Sequence, residues 1–492
     1  MSITAIGLIL IPLSLLIFLF KAEYLVQWAI LMAAFQAASV INLGGSFPIG
    51  IVPYFFVTIL IAIRFFPLWL SGRISFAKDD PALYLSRPLL LLTFWGAVSA
   101  FLLPVVFAGV GVDTPRAGMD RMFTAPLQWS MSNAAQASYL VLNCIFLIYM
   151  VWHTQHYNQV AKVVRAFIWS GVIVALIGCY QEAAHFIGFP YPDEFFNSNP
   201  AWRQLFEQSI AGTHWWRLSA TFNEPSGAGA FFGVWSAFLL FLATDDRTTT
   251  LISWLLLAGG IAMLFLTTST TGYATAAILV AMFVWRELVR LFVKGTIRGK
   301  SLFSIVVIAI GLVGAAALLP DFRDLLEKIV FQKGQTVSAQ ARGATIWEAM
   351  NISAETWGLG VGLGSNRPSG MLFYILSNLG LPGTLLFGYL VYVTWQIVSI
   401  ARREPTARSA LGGYLTAAGW AFAIELFAMA TSGADISSPH LWIAWGLVVT
   451  IGQYTCVASR EMSEFEESRV ARAEAPPDSY APVVLHPGLR VG

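Results

Sequence analysis

Three arginines in this chain stand where a guanidinium could do chemistry. Arg217 opens RLSATFNEPSGAGAFFG, which runs straight into an apolar block. Arg342 lies in SAQARGATIWEAM, and Arg367 closes the glycine-rich WGLGVGLGSNRPSG just before another apolar block. A guanidinium fork grips a phosphate through two parallel hydrogen bonds. The N-terminus of a helix favours the same anions through its free N–H groups and its dipole. Glu224, seven residues after Arg217, is the carboxylate best placed to accept a proton, with His214 as the alternate; a purely structural role fits Glu224 equally well. Asn223 and Pro225 fit a helix cap and a first-turn position. Trp202, Trp215 and Trp216 offer faces on which a sugar ring can stack. Tryptophans beside an arginine also form the belt of a membrane interface, and taken alone that is the better reading.

The elements that position these residues are membrane helices. The chain has 492 residues, 57% hydrophobic and 11% charged, with a mean hydropathy of +0.68. An ordinary soluble domain carries about 25% charged residues. Apolar blocks fall near 3–20, 24–42, 48–70, 88–110, 133–152, 163–188, 225–243, 249–266, 270–292, 302–319, 371–399, 409–430 and 437–455. Each is of about the length that spans a hydrocarbon core of about 30 Å. The expectation is an all-α polytopic membrane protein with about 12–13 transmembrane helices and two large outer loops. The first pair of blocks and the pair around Thr267–Thr271 have the weakest boundaries. The N-terminal block lacks a basic leader and a small-residue cleavage site, so it reads as a retained helix.

Short connections carry Arg73, Lys78 and Arg87; Lys162 and Arg165; Arg286, Arg290, Lys294, Arg298 and Lys300; and Arg402, Arg403 and Arg408. The positive-inside rule makes these cytoplasmic. The two longest loops, 189–224 and 320–370, are then periplasmic or external. The membrane-embedded domain is expected over 1–455, followed by a disordered cytoplasmic tail over 456–492.

Ionisable residues inside the blocks are few: Arg64, Glu182, His185, Glu425 and His440. Charge at membrane depth is costly and marks functional candidates. Glu425 is the deepest, although a buried structural hydrogen bond suits it as well. Gly358, Gly360 and Gly362 do not make a nucleotide loop, because no strand–turn–helix surrounds them; a turn-rich lid is expected instead. DFRDLLEKIVFQK, beginning at Asp321, is amphipathic and reads as an interfacial helix. Cys144, Cys179 and Cys456 show no metal-like spacing. Nothing in the outer loops resembles a metal-ligating cluster of acids or a His-rich stretch, so activity without metal or cofactor is expected, and no basic cluster resembles a nucleic-acid footprint.

Four segments together resemble the bacterial O-antigen polymerase and ligase superfamily, of the Wzy and WaaL types, over roughly Arg217 to Gly383. They are RLSATFNEPSGAGAFFG; LTTSTTGYATAAILV; ARGATIWEAM followed by WGLGVGLGSN; and MLFYILSNLGLPGTLLFGYL. Each is loose alone, whereas the ordered set is fairly specific. The resemblance implies transfer of a glycan from an undecaprenyl pyrophosphate carrier at the outer face of a bacterial inner membrane. Arg217 and Arg342 match the arginine before the family's first matched span and that of its large loop. Ligases usually place a histidine where this chain has Ser369, beside Arg367. That departure favours a polymerase, which joins repeat units, over a ligase, which moves finished glycan to an acceptor. Thr270 also departs, standing where many relatives have arginine. A transporter or flippase without chemistry comes third, since Glu425 is nearly alone near the midplane. The implied partners are the lipid-linked oligosaccharide, the bilayer and a chain-length regulator protein.

Overall fold

The computed structural model describes residues 1–44, 49–115, 122–156, 158–200, 216–296, 299–301, 337–432 and 435–474. The chain is a bundle of apolar helices. They are α1 (Ala5–Phe20), α2 (Leu25–Met32), α3 (Pro53–Leu70), α4 (Pro81–Val106), α5 (Met131–His156), α6 (Val160–Ile187) and the short α7 (Asp193–Phe196). After these come α8 (Pro225–Thr244), α9 (Leu251–Leu266), α10 (Thr270–Lys294), α11 (Val337–Glu355), α12 (Met371–Ala401), α13 (Ala410–Thr431) and α14 (Pro439–Glu474). Small strands lie between them. β1 (Ser2–Ile3), β2 (Ile41–Asn42) and β3 (Gly50–Ile51) form one antiparallel sheet, and β4 (Gly111–Pro115) pairs with β5 (Met122–Pro126).

Among the described residues, eight helices are long and apolar enough to cross a membrane. The protein is therefore an all-α, polytopic membrane protein. Every apolar block carries a helix except 302–319, which lies outside the described residues. The eight are fewer than the 12–13 expected: α1 and α10, although helical, are not among them, and two further blocks depart more strongly. The block at 24–42 is not a continuous span: α1 and the helical stretch Ala22–Met32 meet at 116°. Beyond Met32 the chain runs on without helix, although Ala33, Ala34, Ala37, Ala38 and Val40 are buried. Irregular backbone is tolerated at such depth only where protein covers it and satisfies its polar groups. Here Ala37 N–H donates to Thr221 O at 2.9 Å, Asn199 N–H to Ala37 O at 3.0 Å, and Val40 N–H to Ile51 O at 2.8 Å. The block at 249–266 yields α9, a helix of only 16 residues.

The disorder expected from residue 456 also needs correction, because α14 continues to Glu474. The stretch 456–474 contains neither glycine nor proline and is rich in Glu, Arg and Ala, all good helix formers. Residues 475–492 lie outside the described set.

Contacts sort the helix ends into two faces. On the basic face, Arg460 pairs with Asp80 at 3.3 Å and Thr406 Oγ1 donates to Thr455 O at 2.8 Å. Arg247, held by Asp245 at 2.6 Å, donates to Ala407 O. On the other face, residues 217–224, the 357–370 loop, strand β4 and residues 435–438 come together. α8 is the axis of the bundle, with every residue from Phe231 to Thr244 buried. Gly229 lets α10 approach it closely, since a Cβ there would lie 2.9 Å from Gly272 Cα. Around the outside, Leu90, Phe94, Phe101, Leu102 and Val105 of α4 stay exposed, as a lipid-facing surface requires.

The 357–370 loop is not a lid. Val361 and Leu363 are fully buried, and Gly358, Gly360, Gly362 and Gly364 all adopt positive φ. The loop packs on a break in α12 at Gly380, whose φ of 67° and ψ of −167° are open in practice only to glycine. A Cβ at Gly380 would overlap the Gly358 carbonyl oxygen. Gly380→Ala is expected to cost about 1–3 kcal/mol and to lower the melting temperature in detergent. Gly388→Ala, in the same helix with nothing within 4 Å of the added carbon, is the control and should leave it unchanged or slightly higher.

Candidate functional site

The segment carrying Arg217 is a buried strap laid across helix ends. Leu218 and Thr221 are fully buried, and Ala220 and Phe222 nearly so. Backbone taken out of water needs partners, and Gln181 of α6 supplies two. Its Oε1 accepts from Ser219 N–H at 3.2 Å and Ala220 N–H at 2.7 Å, while Nε2 donates to Ser219 Oγ at 3.2 Å. Leu218 N–H donates to Leu266 O at 3.1 Å, tying the strap to the last residue of α9. These bonds fix Arg217 and deliver the chain to α8 with Pro225 at its first turn, as expected. The cap is Glu224 and not Asn223, because the extended residue before Pro225 is Glu224 (φ −142°, ψ 150°). Its carboxylate does not cap the helix; Oε2 accepts from Ser226 Oγ at 2.8 Å.

Arg367 is set by a second network. Asn378 of α12 accepts from Ser365 N–H and Asn366 N–H, both at 3.0 Å, and donates to Asn366 O at 2.9 Å. Asn133 of α5 donates to Leu363 O at 2.8 Å, and Arg367 N–H donates to Asp113 O of β4 at 3.1 Å. The guanidinium then faces Asp435, with Nη2 3.9 Å from Oδ2. Asp435 is itself anchored by Gln136 Nε2 at 3.2 Å and Ser437 N–H at 2.9 Å. Arg342 sits on α11, as its helical spacing predicts, and its Nη1 lies 3.4 Å from Thr431 O.

Electrostatics link the three arginines into one cluster. Burial pulls the Arg217 guanidinium below its ordinary value; Glu224 and Tyr273 oppose this, and Arg342 adds to it. Burial likewise lowers Arg367, against Asp435, Tyr374, Glu224 and Tyr139. Glu224 therefore acts on both Arg217 and Arg367, and Arg342 acts on Arg217. Arg217 Nε is sealed from solvent without a hydrogen-bond partner. No protein-family model matches the chain, and no curated protein does either. The resemblance accordingly rests on its four sequence segments.

The remaining candidates divide. Trp216 stacks flat on His185 of α6, with ring centroids 4.5 Å apart and planes at 4°. One face of Trp216 is therefore already covered. Ser369 ties the loop to α11: its N–H and its Oγ both meet Thr345 Oγ1 at 3.2 Å. Asn223 Oδ1 is buried and unpartnered. His214, Trp202 and Trp215 lie outside the described residues, as does the stretch read as an interfacial helix. Among the described residues, no group of three His, Cys, Asp or Glu is gathered as metal ligands would be. Glu425 is buried within α13.

Asp435 and Tyr273 belong to the cluster but were not singled out from sequence. Asp435 is the acid in the short turn between the last two apolar blocks, on the same face as the arginines; that placement was the available signal. Gln181→Leu leaves two buried strap N–H groups without an acceptor, at about 1–3 kcal/mol for each. The variant should melt lower in detergent and be cut faster by protease near residues 217–222 than the wild type.

Proposed function

We propose that this chain is a glycan polymerase that joins repeat units carried on undecaprenyl pyrophosphate, at the periplasmic face of a bacterial inner membrane. The observation that carries this reading is the half-buried gathering of Arg217, Arg342 and Arg367, with the exposed Glu224 acting on Arg217 and Arg367 and with Arg217 Nε unpartnered. Positive charge held partly out of water at a membrane edge calls for an anion of high charge density, and a lipid-borne diphosphate fits that chemistry.

The reaction needs little beyond charge neutralisation. The acceptor sugar hydroxyl attacks the anomeric carbon of the donor, forming a glycosidic C–O bond. The bond from that carbon to the diphosphate oxygen breaks, and the carrier leaves with the electron pair. Arg217 and Arg342 hold the diphosphate as charge builds on it, and Arg367, steadied by Asp435, assists. The hydroxyl proton passes to Glu224. Prepositioned donors suit this task because they need no reorganisation as the bond breaks.

Ser369 supports the polymerase over the ligase. At the position where the resembling ligases place histidine, this chain has a hydroxyl engaged with Thr345 and no titrating group. A partner that sets chain length belongs to the same proposal.

In a deletion strain, Arg217→Ala and Arg342→Ala should each cut polymer formation by about a hundredfold or more. A gel should then show single repeat units. Long chains retained on the carrier would instead indicate a ligase, and full-length glycan in its normal place would sink the enzymatic reading. Arg217→Lys should rescue poorly, since an ammonium lacks the bidentate fork. Purified protein should keep full transfer activity in excess chelator; loss restored by added metal would count against the metal-independent mechanism.

A further inference from the structure

The turn joining α9 to α10 is buried, and it holds one hydroxyl, that of Thr268, that finds no protein partner. Thr267, Thr268, Ser269 and Thr271 are 0%, 4%, 2% and 4% exposed. Thr267 Oγ1 makes the usual back-bond to Leu264 O at 2.7 Å. Thr268 Oγ1, in contrast, is sealed from solvent with no hydrogen-bond partner. Ser269 is the residue before α10, yet its side chain caps nothing. The first backbone bond of this helix runs from Tyr273 N–H to Ser269 O at 2.9 Å. The N–H groups of Thr270, Thr271 and Gly272 precede it, and such groups have no acceptor inside their own helix. A buried helix end with no side-chain cap, beside an unpartnered hydroxyl, offers donors to which the turn itself supplies no acceptor.

Arg217 lies beside this helix end. The strap is bonded to Leu266, the last residue of α9, and Tyr273, in the first turns of α10, acts on the Arg217 guanidinium. No carboxylate occurs between Leu266 and Tyr273. The close contact of Gly229 with Gly272 holds the start of α10 against α8. One water has only two lone pairs to offer, whereas phosphate oxygens accept from many donors at once.

We propose that the N-terminal turn of α10 is a phosphate subsite. The N–H groups of Thr270, Thr271 and Gly272 and the hydroxyls of Thr268 and Ser269 hold one phosphate of the diphosphate, and Arg217 reaches across to the other. This rests on the diphosphate reading above and extends it to residues that reading does not use. It gives the chain an anion grip made of backbone, next to the guanidinium grip.

The test uses full-length protein in nanodiscs of uncharged phosphatidylcholine, with melting temperature followed against inorganic pyrophosphate and against farnesyl pyrophosphate. Ser269→Asp puts a carboxylate on the helix end, where it takes the same N–H groups and favours the helix. Thr268→Val removes one hydroxyl and keeps the shape. The wild type should be stabilised by one or both probes. Ser269→Asp should melt no lower than the wild type without ligand and lose the response; Thr268→Val should weaken binding about tenfold. An undiminished response in both variants, lost in Arg217→Ala, overturns the subsite and leaves the arginine reading standing. No response of the wild type to either probe overturns both. Should Ser269→Asp not fold, the Thr268→Val dissociation constant decides, and a value within about twofold of wild type overturns the subsite. Equal stabilisation by phosphatidylglycerol in the nanodisc, lost in Ser269→Asp, would give the site to a bilayer headgroup and overturn its assignment to the diphosphate.

Discussion

Backbone that leaves a helix inside a membrane protein must still find a partner for each N–H and C=O, because no lipid tail can supply one. That requirement shapes the face that carries the three arginines. The strap at 217–224 is irregular chain, and its N–H groups are taken by Gln181 and by the last carbonyl of α9. The glycine-rich loop is irregular chain too, and Asn378 and Asn133 do the same for it. Both loops are fixed by buried amide side chains on neighbouring helices. The arginines they carry inherit that rigidity, since the backbone beneath each guanidinium has little freedom to move.

Rigidity alone would not gather three cations. Like charges repel, and in a half-buried site water screens them little. Carboxylates offset this. Asp435 faces Arg367 at 3.9 Å, and Glu224 acts on both Arg217 and Arg367. Among the described residues named here, three guanidiniums stand with two carboxylates, and Glu224 serves two of the arginines at once. Cations gathered in surroundings of low polarity attract an anion and have reason to hold it.

Much of the architecture was legible in the sequence because membrane helices are written in one variable, apolar length. Blocks such as 133–152 and 409–430 appear as α5 and α13 with ends shifted by a few residues. The block at 24–42 failed for a physical reason. Ala33–Val40 are apolar enough to be lipid-facing helix, yet they are covered by protein and bonded to the strap and to β3, and composition cannot tell these cases apart. The arginines were legible as isolated charges beside apolar blocks. Their carboxylate partner Asp435 was not, because it meets Arg367 only through the folding of two distant turns. The glycines at 358–364 were visible, but their role as a buried bracket depends on Gly380, far along the next helix.

The half-helical second segment has a consequence for biogenesis. Ala37 bonds to Thr221 and Asn199, which are made long after it. At 5–20 residues per second, roughly 10–40 s separate their synthesis. For that interval the N-terminal region lacks the partners of its unwound stretch, and its peptide groups must be kept from lipid by water, by a transient helix or by an insertion factor. Maturation of this protein thus closes backwards, with the first part of the polypeptide locked in place by a part that emerges near its middle.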